Sequence, residues 1–463
     1  MGSTQDESLS TFKILVATDN HLGVWEKNPE RGNDSFETFE EVLAIAVEQD
    51  VDFILLEGDL FHENKPSRQC VLRCMELLKK CTHGDKSVQF DFLSDAAENF
   101  KHIKNPVVNY MDPNLNIGVP IFSIHGNHDD PSGLGQHCAL ELLSSSGLIN
   151  YFGKTSDLKD INIMPLLLEK GETKFAIFGL SSIKDERLFR LFKEGKVKML
   201  RPKEYEDKWF NLMVLHQNHN KQCGMINHIP ESFLDNFLDL VVWDHEHECI
   251  LQAQVPHESA PDSFHVIQPG SSVATSLCAG KAVPKQVALL EVFKRKFSIT
   301  PVDLKTVRPF VFAMVSLSDH DLDDATSIME NSPVENFVEE KVRDMIKESE
   351  TQITGHSKQP KKPLIRLRVE FSNEAQMFNV VRFGHKFAEV VANPEDMILF
   401  KKEKKEVKKD ELGIDNDAMD AAFNDMEVEE TRVEDLVRQY FAGIENQVQN
   451  LSLLSERGLC GER

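Results

Sequence analysis

Phe12-Lys13-Ile14-Leu15-Val16-Ala17-Thr18 runs straight into Asp19-Asn20-His21, an apolar stretch that stops at a carboxylate and an imidazole two residues apart. The same event recurs along the chain. Asp52-Phe53-Ile54-Leu55-Leu56 ends at Glu57-Gly58-Asp59, and Pro120-Ile121-Phe122-Ser123-Ile124 ends at His125-Gly126-Asn127-His128-Asp129. Leu212-Met213-Val214-Leu215 stops at His216, and the run from Leu238 to Trp243 stops at Asp244-His245-Glu246-His247. Short continuous apolar runs alternating with helical patterns are expected of buried strands in a layered α/β sheet. Ligands of such sheets gather at the carboxyl ends of the strands. Asp19, Asp59 and Asn127 would then bring three oxygen donors, and His21, His216, His245 and His247 four imidazoles, to one edge.

Few chemistries need that set other than a pair of divalent metals. Asp59, from a central strand, is the natural bridge. Asp19, His21 and His247 would complete one metal, and Asn127, His216 and His245 the other. Mixed oxygen and imidazole donors suit Mn²⁺, Fe²⁺ or Zn²⁺ better than Ca²⁺. His128 adjoins Asn127 and is placed to protonate a leaving oxygen or to stabilise charge on a phosphate; His62 and His125 are second candidates. Each residue alone is a weak signal, since Gly-Asp is a common turn and a lone histidine is more often a core group. The joint pattern, five sites of the right residue types in one order at strand ends, is strong.

The segments between these strands read as helices. Asp34 to Gln49 carries Phe36, Phe39, Val42, Leu43 and Ala46 at helical spacing, with Asp34 or Ser35 as cap. Pro66 opens a second helix through Cys81. Residues 84–116 show no clean period, which fits either a peripheral insertion or a partner site. Beyond about Phe297 the pattern changes. A helix from Ser332 to Ser349, an alternating strand from Pro363 to Phe371 showing Arg366 and Arg368 on one face, a helix from Met377 to Val391 and a strand from Met397 to Phe400 predict a small α+β domain. The expected division is residues 1–295, a smaller domain at 296–400, a charged linker at 401–431, and an amphipathic segment at 432–463 whose helix, Arg432 to Leu454, would dock a partner.

With 463 residues the chain is long enough for two or three domains. A net charge of −24 argues against a nonspecific nucleic-acid coat, though not against a basic groove or a site made positive by bound cations. Eight scattered cysteines include no Cys-x-x-Cys pair, so zinc fingers are unsupported and reduced thiols are expected. The polar opening from Met1 to Ser10 suggests no secretory signal, and no apolar run approaches a membrane span.

The words around the islands narrow the family. Gly58-Asp59-Leu60-Phe61-His62-Glu63-Asn64-Lys65-Pro66-Ser67, Phe122-Ser123-Ile124-His125-Gly126-Asn127-His128-Asp129-Asp130-Pro131, Leu215-His216-Gln217-Asn218 and Gln268-Pro269-Gly270-Ser271-Ser272 resemble the calcineurin-like metallophosphoesterase superfamily and, within it, the eukaryotic Mre-eleven-type double-strand-break repair nucleases. The resemblance implies a sheet sandwich flanked by helices with a capping domain that presents DNA. It also implies a two-Mn²⁺ endonuclease and 3′-to-5′ exonuclease acting on double-strand ends, hairpins and single strands. A Rad-fifty-type ATPase, an Nbs-type adaptor, a homodimer built on the helices after Pro66 and after Gln136, and a place in the nucleus follow from the same resemblance. By motif position Asp19, His21, Asp59, Asn127, His216, His245 and His247 match metal ligands, His128 the catalytic histidine and His62 an auxiliary one. The chain departs from the family pattern at Asn20, where that pattern is apolar, and at Glu57 and Asp244, where it has glycine. A rival expectation is therefore a catalytically weakened scaffold that tethers DNA ends and binds the ATPase.

Overall fold

A computed structural model describes residues 7–403, apart from 105, 134, 156, 221–225, 256–263, 321 and 323–331. The expected linker lies almost wholly, and the expected docking helix wholly, outside the described residues.

The apolar runs form strands. Phe12–Ala17, Phe53–Glu57 and Ile121–Ile124 lie parallel, with Ile14 opposite Phe53 and Ile54 opposite Ile121. Gln286–Phe293 pairs antiparallel with Phe12–Ala17, Lys296–Asp303 follows it outward, and Asn150–Tyr151 closes the far edge of this six-stranded sheet. A second, seven-stranded sheet is built around the parallel strands Thr173–Leu180, Trp209–His216, Leu240–Asp244 and His265–Gln268.

The two sheets pack face to face. Ile14, Val16, Phe53, Leu55 and Phe122 meet Phe175, Ile177, Phe210, Leu212, Val214 and Val242 in the gap between them. Alternate residues point outward: Leu15, Ile54 and Leu56 against the helices Asp34–Glu48 and Arg68–Thr82, and Phe178, Leu215, Val241 and Trp243 against the helix Asp185–Lys193. A strand buried on both faces has no polar side to alternate with, which is why these runs read as continuously apolar.

The helix Asp34–Glu48 buries Phe36, Phe39, Val42, Leu43 and Ala46, as their spacing predicts, but Asn33 rather than Asp34 or Ser35 occupies the cap position. The second helix starts later than predicted. Ser67 Oγ accepts the Cys70 N–H at 3.0 Å, and this good capping residue leaves Pro66 outside the first turn. Within residues 84–116, a short strand, Asp91–Phe92, joins the edge of the second sheet, and a one-turn helix, Ala96–Asn99, follows. No described helix is long and apolar enough to cross a membrane.

A smaller unit begins at Phe310. Phe310–Ser316, Leu364–Phe371 and Ile398–Lys402 form a parallel three-stranded sheet, covered by Val334, Val338, Val342 and Met345 of the helix Pro333–Ser349. The helix expected from Met377 to Val391 spans only Val380–His385, and Gly384, an unfavourable residue in a helix interior, falls inside it.

The connector between the units is fastened to the helix Asp34–Glu48 of the large one. Glu41 accepts hydrogen bonds from the N–H groups of Lys305 and Thr306 (2.7 and 2.8 Å) and from the Thr306 hydroxyl (2.6 Å). Arg308, almost fully buried, donates through Nε and Nη2 to the two Asp34 oxygens (2.6 and 2.8 Å), and also to the carbonyls of Glu30 and Lys362.

Candidate metal centre

Five strand ends deliver the residues singled out above to one place, at the carboxyl edges of both sheets. Asp19 and His21 follow Phe12–Ala17, Asp59 follows Phe53–Glu57, and Asn127 and His128 follow Ile121–Ile124. His216 ends its strand, and His245 and His247 follow Leu240–Asp244. The chain turns so sharply that Asp19, His21, Asp59 and His245 take φ of +44, +44, +46 and +95°. Non-glycine residues hold such angles at a cost of about 1–3 kcal/mol, mostly at functional sites. The His21 N–H, bonded to the Asp59 carbonyl at 2.9 Å, helps to impose the geometry.

The ligand atoms of Asp19, His21 and His247 lie within 4.8 Å of one another. Asp19 Oδ1 is 3.3 Å from His21 Nε2, and the His21 and His247 rings stack at 5.0 Å. A second group centres on Asn127 Oδ1, which is 3.0 Å from His216 Nε2 and 2.9 Å from His245 Nδ1. Asp59 stands between the two: its Oδ2 is 3.9 Å from His21 Nε2 and 3.4 Å from His216 Nε2, while its Oδ1 accepts the His128 N–H at 2.8 Å. Donor atoms about 3 Å apart are what metal bonds of about 2.1 Å produce in tetrahedral or octahedral surroundings. Gly126 makes this approach possible, because a Cβ there would run into the Asp59 carboxylate.

At the half-buried mouth the His62 and His128 rings stack at 5.0 Å, and His128 Nδ1 donates to the His62 carbonyl at 2.7 Å. His125 is elsewhere. It is buried against Tyr151, its Nδ1 2.5 Å from the phenol oxygen, and its Nε2 faces Asp130.

The floor of the site is a cluster of buried charge. Asp19, Glu57, Asp59, His21, His216 and Asp244 are at most 1% exposed. Among the described residues no hydrogen-bond donor reaches either oxygen of Asp19 or Glu57, or Oδ1 of Asp244. Burial pushes the Glu57 and Asp244 carboxyls up and the charge of Asp19 adds to both, while His216 opposes the rise at each and, at Asp244, also through the hydrogen bond that favours the carboxylate. For Asp59, burial works in the same direction but is overcome by His216 and His21, so it stays well below that range. Asp19 is also held low, its burial outweighed by the adjoining Asp244 carboxyl, which is raised in its place, and by His247, His21 and His216. His216 shows the converse: burial opposes protonation, yet Asp59 and Asp244 raise it well above an ordinary histidine. Oxygens face both of its ring nitrogens, and a neutral imidazole carries one hydrogen. The other nitrogen needs a proton or a cation. Orphaned buried oxygens together with a mixed oxygen and imidazole donor set fit a pair of divalent ions.

The model of the calcineurin-like phosphoesterases matches residues 12–249, over half of the chain and the whole span from Asp19 to His247. The chain belongs to the calcineurin-like phosphoesterase family. Residues 297–461 match the Mre11 DNA-binding presumed domain. The double-strand break repair protein MRE11 of Homo sapiens is 49% identical over 451 residues, covering 97% of this chain and 63% of that protein. Its Mus musculus counterpart is 50% identical over 450 residues, with the same shares. The chain thus spans just under two thirds of the length of these curated relatives. Among solved structures, a dimetal phosphatase from Danio rerio aligns at 11% identity with a TM-score of 0.36, covering 64% of this chain and 99% of that one.

Some residues that shape this phosphoesterase site carry little signal in the sequence. Asp129 is fully buried and bridges two motif loops: Oδ1 accepts the Gly126 N–H at 2.6 Å and Oδ2 the Leu60 N–H at 2.9 Å. Burial, helped by the nearby Asp59 charge, pushes its carboxyl up to about 7. Lys285, also buried, reaches the His247 carbonyl and the Ser271 hydroxyl, and burial lowers it to about 8. Ser271 lies within one of the family words quoted above, a signal that stopped short of its partner.

Proposed function

We propose that the chain is a two-metal DNA nuclease, with Mn²⁺ as its metal and both endonuclease and 3′-to-5′ exonuclease activity at DNA ends. The observation that carries this is the convergence of Asp19, His21, Asp59, Asn127, His216, His245 and His247 around one carboxylate, in a chain 49% identical to MRE11. Asp19, His21 and His247 would hold one ion, Asn127, His216 and His245 the other, and Asp59 both. Bound divalent ions supply an activated water and charge stabilisation for a phosphodiester.

The chain's own residues do the rest. The His128 N–H fixes one Asp59 oxygen and leaves Oδ2 facing His21 and His216. His128, its Nδ1 hydrogen committed to the His62 carbonyl, presents Nε2 as the atom that passes a proton to the leaving 3′ oxygen. His62 stacks on that ring and keeps its orientation. DNA, a Rad-fifty-type ATPase, an Nbs-type adaptor and a second copy of the chain are the partners of this reading, and the nucleus its location. The smaller unit would act as the capping domain, starting at Phe310 rather than at the expected 296, because Lys296–Asp303 is a strand of the large sheet.

The test is Mn²⁺-dependent degradation of an end-labelled duplex, with EDTA and Asp59→Asn as controls. Cleavage that stops in both controls supports the nuclease. Two buried carboxylates, Glu57 and Asp244, favour one rival, a weakened scaffold that tethers DNA ends and binds the ATPase. Absent cleavage by the wild type, with activity appearing in Asp244→Gly, would establish that rival.

A further inference from the structure

His216 and Asp244 are direct neighbours on adjacent parallel strands, paired in register, and both side chains enter the gap between the sheets. Both are fully buried. His216 Nε2 looks toward Asn127 Oδ1 at 3.0 Å and Asp59 Oδ2 at 3.4 Å. Its Nδ1 looks the other way, toward Asp244 Oδ2 at 2.8 Å and the Glu57 carbonyl at 3.2 Å. The nitrogen facing the ligand oxygens is therefore not the one facing Asp244.

We propose that Asp244 is a positioning residue of the metal centre: its carboxylate takes the Nδ1 hydrogen of His216 and so turns the Nε2 lone pair toward Asn127 and Asp59. This rests on the reading that the site holds divalent ions. A metal-binding imidazole needs its far nitrogen protonated and held, and a carboxylate holds it more firmly than a carbonyl while making the ring a better donor. Asp244 is the nearer acceptor. The Glu57 carbonyl, longer by 0.4 Å, is the fallback when Asp244 is removed. The remaining Asp244 oxygen has no donor among the described residues and lies on the side of Asp19, whose ligand atoms join those of His216 and Asp244 within 4.8 Å. Direct ligation of an ion by Asp244 is therefore the contrast the test must separate.

The experiment is Mn²⁺ titration of the full chain, reading affinity and stoichiometry from the free-Mn²⁺ paramagnetic resonance signal, for the wild type, Asp244→Asn and Asp244→Gly. Two ions are expected in all three. In Asp244→Gly the weaker site loses about 10- to 100-fold in affinity, the range for loss of a group that orients a ligand. Asp244→Asn, whose amide oxygen still accepts the Nδ1 hydrogen, recovers most of that loss. Should Asp244→Gly not fold, Asp244→Ala carries the same comparison. Affinities within twofold of the wild type in Asp244→Gly overturn the proposal, as does an Asp244→Asn no better than Asp244→Gly. A third ion in the wild type that vanishes in Asp244→Gly makes Asp244 a ligand and overturns it too. A wild type that binds no Mn²⁺ removes the proposed function itself, a result distinct from all of these.

Discussion

At the scale of single residues, the site divides into a buried floor and a half-open mouth, and the two make different demands. His128 belongs to the mouth. Its side chain bonds to a backbone carbonyl, while its own N–H holds Asp59. Replacing the side chain leaves that N–H in place. His128→Asn is accordingly expected to bind Mn²⁺ and DNA as the wild type does while losing about 10²-fold or more in cleavage rate. Loss of metal in this variant, measured by titration, would remove the assigned role. Residues of this kind were legible in the sequence because chemistry restricts their type: few positions combine Asn127 and His128 after an apolar run. Asp129 was not, because a buried carboxylate that accepts backbone N–H groups looks like any turn aspartate until its partners at Gly126 and Leu60 are seen. Nor was the side on which Glu57 and Asp244 lie. Alternation separates two faces of a strand, and in a covered sheet both faces are interior.

At the scale of elements, the helix Ala139–Ser145 is too short to persist on its own and depends on its first turn. Glu141 reaches back to accept the Cys138 N–H at 2.6 Å and pairs with Lys154 at 2.6 Å. Burial alone would raise its carboxyl. The bonds to Cys138 and Lys154 outweigh burial, and it lies below its ordinary value of 4.5. A depressed folded-state value means that the charged form stabilises the fold. That contribution is present above the ordinary value and is lost as pH falls through the depressed one. Glu141→Gln is expected to cost about 1 kcal/mol at pH 7, and urea midpoints of the variant and wild type should converge as the pH falls through the depressed value. A gap that widens on acidification would reverse the sign. Element existence was readable from period and length, as Asp34–Glu48 and the strand ends attest. Boundaries were less so, since Ser67 and Asn33 win their caps through local hydrogen bonding or backbone shape that periodicity does not encode.

At the scale of the molecule, the pairing of Phe12–Ala17 with Gln286–Phe293 joins segments more than 250 residues apart. No local pattern announces such a contact, so the sandwich came from family words rather than from period. The buried acidic floor sets one global property. Ions that bind the folded state alone stabilise it, by about 2.7 kcal/mol at a hundredfold excess over Kd. Mn²⁺ should raise the melting temperature by several degrees and EDTA should return it; an unchanged Tm would mean that the floor does not hold the ion. Arg308 sets another. Arg308→Met leaves the half-buried Asp34 without its partner and should destabilise the chain by about 1–3 kcal/mol in denaturant unfolding, more than loss of an exposed pair such as Arg190 with Glu186. The same fastening bears on how a substrate is measured. A connector clamped by Glu41 and Arg308 acts as a bracket rather than a hinge, so the small unit is held as a fixed ledge against the helix Asp34–Glu48. Under the proposed function, a long polymer resting on that ledge would meet the site at one set reach, and the distance from its end to the bond that is cut would become a dimension of the protein, as in a ruler, rather than a matter of how far an arm happens to swing.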